Sequence, residues 1–192
     1  MDITDREAVH RLMESYRPGA VIHCAAHTAV DRAEEEPERA FLVNEAGTRN
    51  LAEACRRARA KMVYLSTDYV FPGTGTRPYE TDDPTGPLNA YGRSKLAGEA
   101  AVRELLDEHF IVRISWVFGI NGGNFVKTML RLVETRDTVQ VVNDQIGSPA
   151  YTADLAPLLC GMVQTEAYGI YHATNEGFCS WAEFAAEIFR EA

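Results

Sequence analysis

The sequence predicts an α/β fold built on a mostly parallel sheet, and three observations predict it. Short apolar runs alternate with amphipathic runs of helical period, the order that builds successive strand-helix-strand units. Helix-start signals recur at the right places: Thr4 with Glu7, and Ser180 with Glu183, each read as a capping box. The 192 residues contain no repeat, low-complexity tract or linker, and 46% apolar with 24% charged residues fits one folded domain.

The elements follow in order. Residues 4–19, "TDREAVHRLMESYRPG", read as a helix that stops at Pro18-Gly19, and "AVIHCAA" as the strand after it. "PERAFLVNEAGTRNLAEACRRARA" is a long helix with Pro37 at its start and arginines crowding its last turn. "KMVYLS" is the next strand. Residues 67–89 hold four prolines and three glycines, and an irregular stretch of that length in a compact domain is more often functional than idle. Residues 91–106 are helix, "FIVRIS" strand, "NFVKTMLRLVETR" helix, "TVQVV" strand, "ADLAPLLCGMVQ" helix and "GIYHAT" strand, before the last helix that Ser180 opens.

Composition narrows the function. A net charge of −9 argues against a nucleic-acid partner, which calls for a basic patch. No apolar run approaches membrane-spanning length, and "MDITDREAVH" lacks the basic start and apolar stretch of a signal peptide. Cys24, Cys55, Cys160 and Cys179 are widely spaced, which reads as reduced thiols in a cytoplasmic protein. His23 and His27 have helical metal-ligand spacing but straddle a strand end, so no metal site is expected from them.

Within "NAYGRSKLAGEAAV", Tyr91 and Lys95 stand four apart and share a helix face. An ammonium about 5 Å from a phenol, at an effective dielectric of about 20, contributes roughly 3 kcal/mol toward the phenolate. That would bring the Tyr91 phenol from near 10 toward neutrality, where general acids work best. The spacing alone also fits an ordinary helix start, since 8 Tyr and 3 Lys give such a pair by chance in about one chain in eight. The neighbours add to it. Ser66, Thr67 and Asp68 end one strand, and Ser115 and Trp116 end another, at the carboxyl edge where open α/β sheets bind ligands.

A strand ending Ser-Thr-Asp followed by Y-x-x-x-K resembles the extended short-chain dehydrogenase/reductase superfamily. The strings "AAHTAVDRAEEEPERAFLVN", "LSTDYVFPG", "PLNAYGRSKLAGE", "RISWVFG", "NFVKTMLRL" and "NDQIGSPAYTADLA" resemble the dTDP-4-dehydrorhamnose reductase family over nearly the whole chain. The resemblance implies a Rossmann-like, doubly wound sheet. Residues 1–119 would be part of the NAD(P)-binding domain, and residues 120–192 a mixed substrate-binding portion that is not separable. It implies hydride transfer from NADPH or NADH to the C4 carbonyl of a dTDP-linked 6-deoxy-4-keto sugar, giving dTDP-L-rhamnose.

By the same resemblance, Tyr91 is the proton donor, Lys95 tunes Tyr91 and holds the nicotinamide ribose, and Thr67 bonds the reacting oxygen. Asp68, Tyr69 and Trp116 match substrate contacts. Asp2 and Ile3 match an adenine contact, and Ala26, His27 and Thr28 a turn along the cofactor. Asn44 matches a helix asparagine common in the superfamily. A homodimer is implied, and some relatives use Mg²⁺ at that interface, though no ligands for it map onto this sequence. Two other readings compete: a non-catalytic subunit resembling the beta subunit of methionine adenosyltransferase, and a nucleotide-sugar epimerase. Related dehydratases carry Asp-Glu after the threonine; here Tyr69 follows Asp68, so elimination lacks its second acid.

A dinucleotide needs a glycine-rich turn for its pyrophosphate. Neither "FPGTGTRPYE" nor "GINGGNF" has the spacing, and both read as loops. The resemblance therefore implies that the first strand-helix-strand unit lies outside these residues, and that this chain alone has little cofactor affinity. The strand "AVIHCAA" is then expected at an open sheet edge.

Overall fold

The computed structural model describes residues 1–192. Helix α1 (Arg6–Tyr16) leads into β1 (Ala20–His23). A short helix α2 (Val30–Glu35) precedes α3 (Pro37–Phe41), which runs through a π-helical segment (Leu42–Gly47) into α4 (Thr48–Ala58). Strand β2 (Lys61–Thr67) ends in a 3₁₀ turn (Asp68–Val70), and α5 (Ala90–Leu105) leads to β3 (His109–Ile114). Then come β4 (Val117–Phe118), α6 (Phe125–Val133), β5 (Ile146–Gly147), β6 (Ala150–Tyr151) and α7 (Thr152–Met162). Strand β7 (Gly169–His172), β8 (Cys179–Ser180) and α8 (Trp181–Glu191) close the chain. No helix is long and apolar enough to cross a membrane.

The chain divides into two compact units. The first comprises Met1–Arg113 and Leu159–His172 and holds a four-stranded sheet of order β1-β2-β3-β7. Parallel pairing sets Ala20 opposite Lys61 and Phe110 opposite Gly169. Strand β1 pairs on one side only, the open edge expected of "AVIHCAA". The core packs Val9 and Met13 of α1, Leu51, Ala52 and Cys55 of α4, and Val102 of α5 with Met62, Tyr64 and Ile111 of the sheet. The second unit comprises Ile114–Leu158 and Ala173–Ala192 and contains two short ladders, β4 with β6 parallel and β5 with β8 antiparallel. The expected boundary at residue 119 lies inside this second unit. Residues 159–172 return to the first because β7 is a strand of its sheet.

Most elements fall where the pattern put them; several do not, among them α2, which the pattern left unassigned. The cap of α1 is Asp5, whose carboxylate accepts from Ala8 N at 3.0 Å, while the Thr4 hydroxyl is spent on Asp2. "TVQVV" forms no strand: Val139 and Val141 bury against α6 and α8, and Val142 offers its carbonyl to Ala182 N at 3.0 Å. Its alternation reflects burial without a pairing partner. The two-residue ladders were not foreseen, because two residues carry no readable period. Ser180 and Glu183 do form the reciprocal capping box.

Candidate active site

Helix α5 begins at Asn89, whose side-chain oxygen accepts from Gly92 N at 2.7 Å, and its early turns present Tyr91 and Lys95. Two glycines let it sit close to its neighbours. A Cβ at position 98 would stand 2.5 Å from the Asn44 carbonyl oxygen and closer still to the Tyr64 hydroxyl; at position 92 it would collide with the Tyr69 carbonyl. Small residues on this face thus set the helix directly against β2 and the turn after it.

Those contacts gather Thr67, Asp68, Tyr69, Tyr91 and Lys95 at the carboxyl end of β2. The Thr67 hydroxyl donates to the Asp68 carboxylate at 3.0 Å and accepts from Tyr69 N at 3.3 Å. The Tyr69 and Tyr91 rings meet edge to face with centroids 5.7 Å apart. Burial pushes the Asp68 carboxyl up to about 6, against the opposing bonds from Thr67 and the backbone. Tyr91 departs from expectation. Burial raises its phenol to about 12, with a bond to Thr67 pulling the other way, and Lys95 is not among the causes. The Lys95 Nζ instead donates to the Leu65 carbonyl at 2.6 Å and lies 4.1 Å from the Tyr64 ring centroid. Lys95 is 2% exposed, and desolvation lowers it to about 7. The phenol is therefore fully protonated at neutral pH, and the lysine titrates where the phenol was expected to.

Asn44, in the π-helical segment, ties the turn after β1 to α5. Its side chain accepts from His27 N at 2.8 Å and donates to the His27 carbonyl at 3.1 Å and to Ser94 Oγ at 2.9 Å. Ser94 in turn donates to the Tyr91 carbonyl at 2.8 Å. π-Helical insertions are frequent at functional sites. Below this lies His23, whose Nε2 is 3.0 Å from Thr48 Oγ1. Thr48 spends its proton on the Asn44 carbonyl at 2.7 Å, so the imidazole is the donor there. Burial and then the Lys95 charge push His23 down to about 3.

Ala26, His27 and Thr28 follow β1, and the buried Nδ1 of His27 has no partner. Ile3 sends its side chain into the core, 7% exposed, and its carbonyl accepts from Asn50 at 3.0 Å; Asp2 is exposed and bonded to Thr4. Trp116 belongs to the second unit. There it stacks on Trp181 with centroids 3.6 Å apart, and it holds φ at +46°. A bulky residue at positive φ is strained, and such strain collects at functional sites. No group of three or more His, Cys, Asp or Glu converges as a metal site.

Sequence reasoning missed Ser94, Glu99 and Arg113. Glu99 offered one signal: it lies four beyond Lys95, on a helix face otherwise lined by small residues.

Against known proteins, the family model described as the RmlD substrate binding domain matches residues 1–192. The chain belongs to this family. Among its relatives, dTDP-4-dehydrorhamnose reductase of Streptomyces griseus is 52% identical over 99% of this chain and 64% of its own length. The dTDP-4-keto-6-deoxy-D-glucose reductase of Streptomyces niveus is 46% identical over 99% of this chain and 66% of its own. In structure, the dTDP-4-dehydrorhamnose reductase of Bacillus anthracis in complex with NADP superposes with a TM-score of 0.98. It is 48% identical and is matched over 68% of its length. This RmlD-family chain thus spans about two thirds of the length of the relatives it matches.

Proposed function

We propose that this protein reduces dTDP-4-dehydro-L-rhamnose to dTDP-L-rhamnose with NAD(P)H, and that Tyr91, Thr67 and Lys95 serve the reaction. The observation that carries the reading is the convergence of Thr67, Asp68, Tyr91 and Lys95 at the carboxyl end of β2, the edge where α/β sheets bind ligands.

The residues present fit the nicotinamide-ribose end of such a cofactor. A lysine ammonium has three donors, and Lys95 has one partner in the Leu65 carbonyl. His27 Nδ1 has none. Ribose hydroxyls offer the acceptors and donors these groups lack, and the B. anthracis relative is described with NADP. Bound NAD(P)H supplies the hydride that reduces C4 of the keto sugar.

The chain's own residues handle the proton. With its pKa near 12 the Tyr91 phenol keeps its proton through binding and gives it up only to a stronger base, the C4 alkoxide that forms as the carbonyl is reduced. Thr67 is oriented by its bond to Asp68, so its remaining hydroxyl capacity faces the phenol. In its ammonium form Lys95 stabilises developing negative charge beside this site. The balance is ketone plus NAD(P)H plus one proton, giving alcohol and NAD(P)⁺. Asp68, Tyr69 and Trp116 are assigned to the sugar nucleotide.

The test is to incubate the protein with NADPH and dTDP-4-dehydro-L-rhamnose and resolve the nucleotide sugars chromatographically. Equimolar NADPH consumption and dTDP-L-rhamnose formation are expected. A new sugar without net NADPH consumption would instead identify an epimerase.

A further inference from the structure

The first unit contains one ion pair withdrawn from water on both sides. Arg113 on β3 grips Glu99 on α5 with Nε at 3.0 Å and Nη2 at 2.9 Å, and each side chain is 3% exposed. Further contacts surround the pair. Arg113 Nη1 reaches the Thr81 carbonyl at 3.1 Å, its guanidinium lies 4.9 Å from the Phe71 ring centroid, and the Ser66 hydroxyl donates to Glu99 Oε1 at 2.5 Å. Such a pair is weak evidence for stability, since apolar replacements are often as stable. Its placement is more telling. Ser66 directly precedes Thr67, and Glu99 lies one helical turn beyond Lys95 and two beyond Tyr91. The network also fastens Thr81, within the irregular segment between β2 and α5.

We propose that Glu99 and Arg113 are positioning residues of the reductase site: through Ser66 they fix the register of Thr67 against the helix bearing Tyr91 and Lys95, and Glu99 is the counter-charge of Lys95. The inference rests on the function proposed above. The groups facing Lys95 are Glu99 on α5, His23 and Cys24 at the end of β1, and Tyr64 on β2. Burial holds His23 neutral and raises the Cys24 thiol and the Tyr64 phenol, so Glu99, ion-paired with Arg113, is the formal negative charge in this set. Desolvation drives Lys95 down while Glu99 is the foremost group holding it up.

The experiment follows the ¹³Cε signal of Lys95 across pH, in a chain with only three lysines, alongside steady-state kinetics. Glu99→Gln with Arg113→Met removes both charges without leaving one buried alone. Its Lys95 midpoint is expected to fall by roughly one pH unit, and kcat by about 10-fold or more, with KM for the sugar nucleotide little changed. Ser66→Ala cuts only the tether to β2: the Lys95 midpoint is expected to stay and kcat to fall about threefold or more. A Lys95 midpoint unmoved in the double variant overturns the counter-charge role, and wild-type kcat in Ser66→Ala overturns the register role. If the double variant does not fold, Glu99→Gln with Arg113→Gln, which also removes both charges, carries the same titration. The titration needs no turnover, so a protein that fails to reduce the keto sugar refutes the proposed function while the pair is still tested.

Discussion

The Lys95 ammonium donates to the Leu65 carbonyl oxygen at 2.6 Å, beneath a helix that also presents Tyr91. Its environment depresses its pKa from 10.5 to about 7, burial being the main cause. Between those two values the unfolded chain binds a proton that the folded chain does not, so stability rises with pH through that window. Below about 7 the folded protein carries the whole cost of a buried cation. Lys95→Met is expected to be more stable than wild type at pH 6, by a few kcal/mol, with the advantage shrinking by pH 9. Urea denaturation at the two pH values checks it.

Asp68 runs the opposite way. Its carboxyl is raised from 3.8 to about 6, so between those values the folded state binds the extra proton and stability falls as pH rises. Asp68→Asn is expected to gain on wild type from pH 4 to pH 7, by up to about 3 kcal/mol. His23, pushed down to about 3, has the reverse slope over the same range, but it is present in both proteins and cancels in the difference. Denaturation curves for the two proteins across that range measure it.

Tyr91→Phe removes the proposed proton donor and leaves the ring against Tyr69 in place. A loss in kcat of about 10²–10⁴-fold is expected, the usual contribution of a general acid, with a modest change in melting temperature. A variant that turns over as fast as wild type would place the donor elsewhere.

Gly98→Ala and Gly161→Ala should move stability in opposite directions. A methyl at 98 meets the Asn44 carbonyl and the Tyr64 hydroxyl, and shifting either disturbs the seating of α5, at a cost of about 1–3 kcal/mol. At 161, in α7, nothing lies within 4 Å of the added Cβ, and the helix gains up to about 1 kcal/mol. Thermal melts of the two variants make the comparison.

Much of this was legible in the sequence because it is local. The strands "KMVYLS" and "FIVRIS", helix α5 and the capping box of α8 depend on neighbouring residues. The placement of Tyr91 and Lys95 on one face follows from helical period alone. "TVQVV" misled because period reports burial, and pairing needs a partner strand that period does not report. Thr4 misled because two adjacent oxygens competed for one cap and Asp5 won it.

What the sequence by itself determined was the α/β order and which residues meet at the end of β2. The electrostatic state of that site was decided by tertiary structure. Tyr91 is not lowered by Lys95, since packing aims the ammonium at Leu65, and burial then outweighs the charge. Asn44, Ser94, Glu99 and Arg113 acquire their roles only when α5 docks, from partners 14 to 50 residues away. Desolvation and long-range pairing depend on what surrounds a side chain in space, and the order of residues along the chain does not encode them directly.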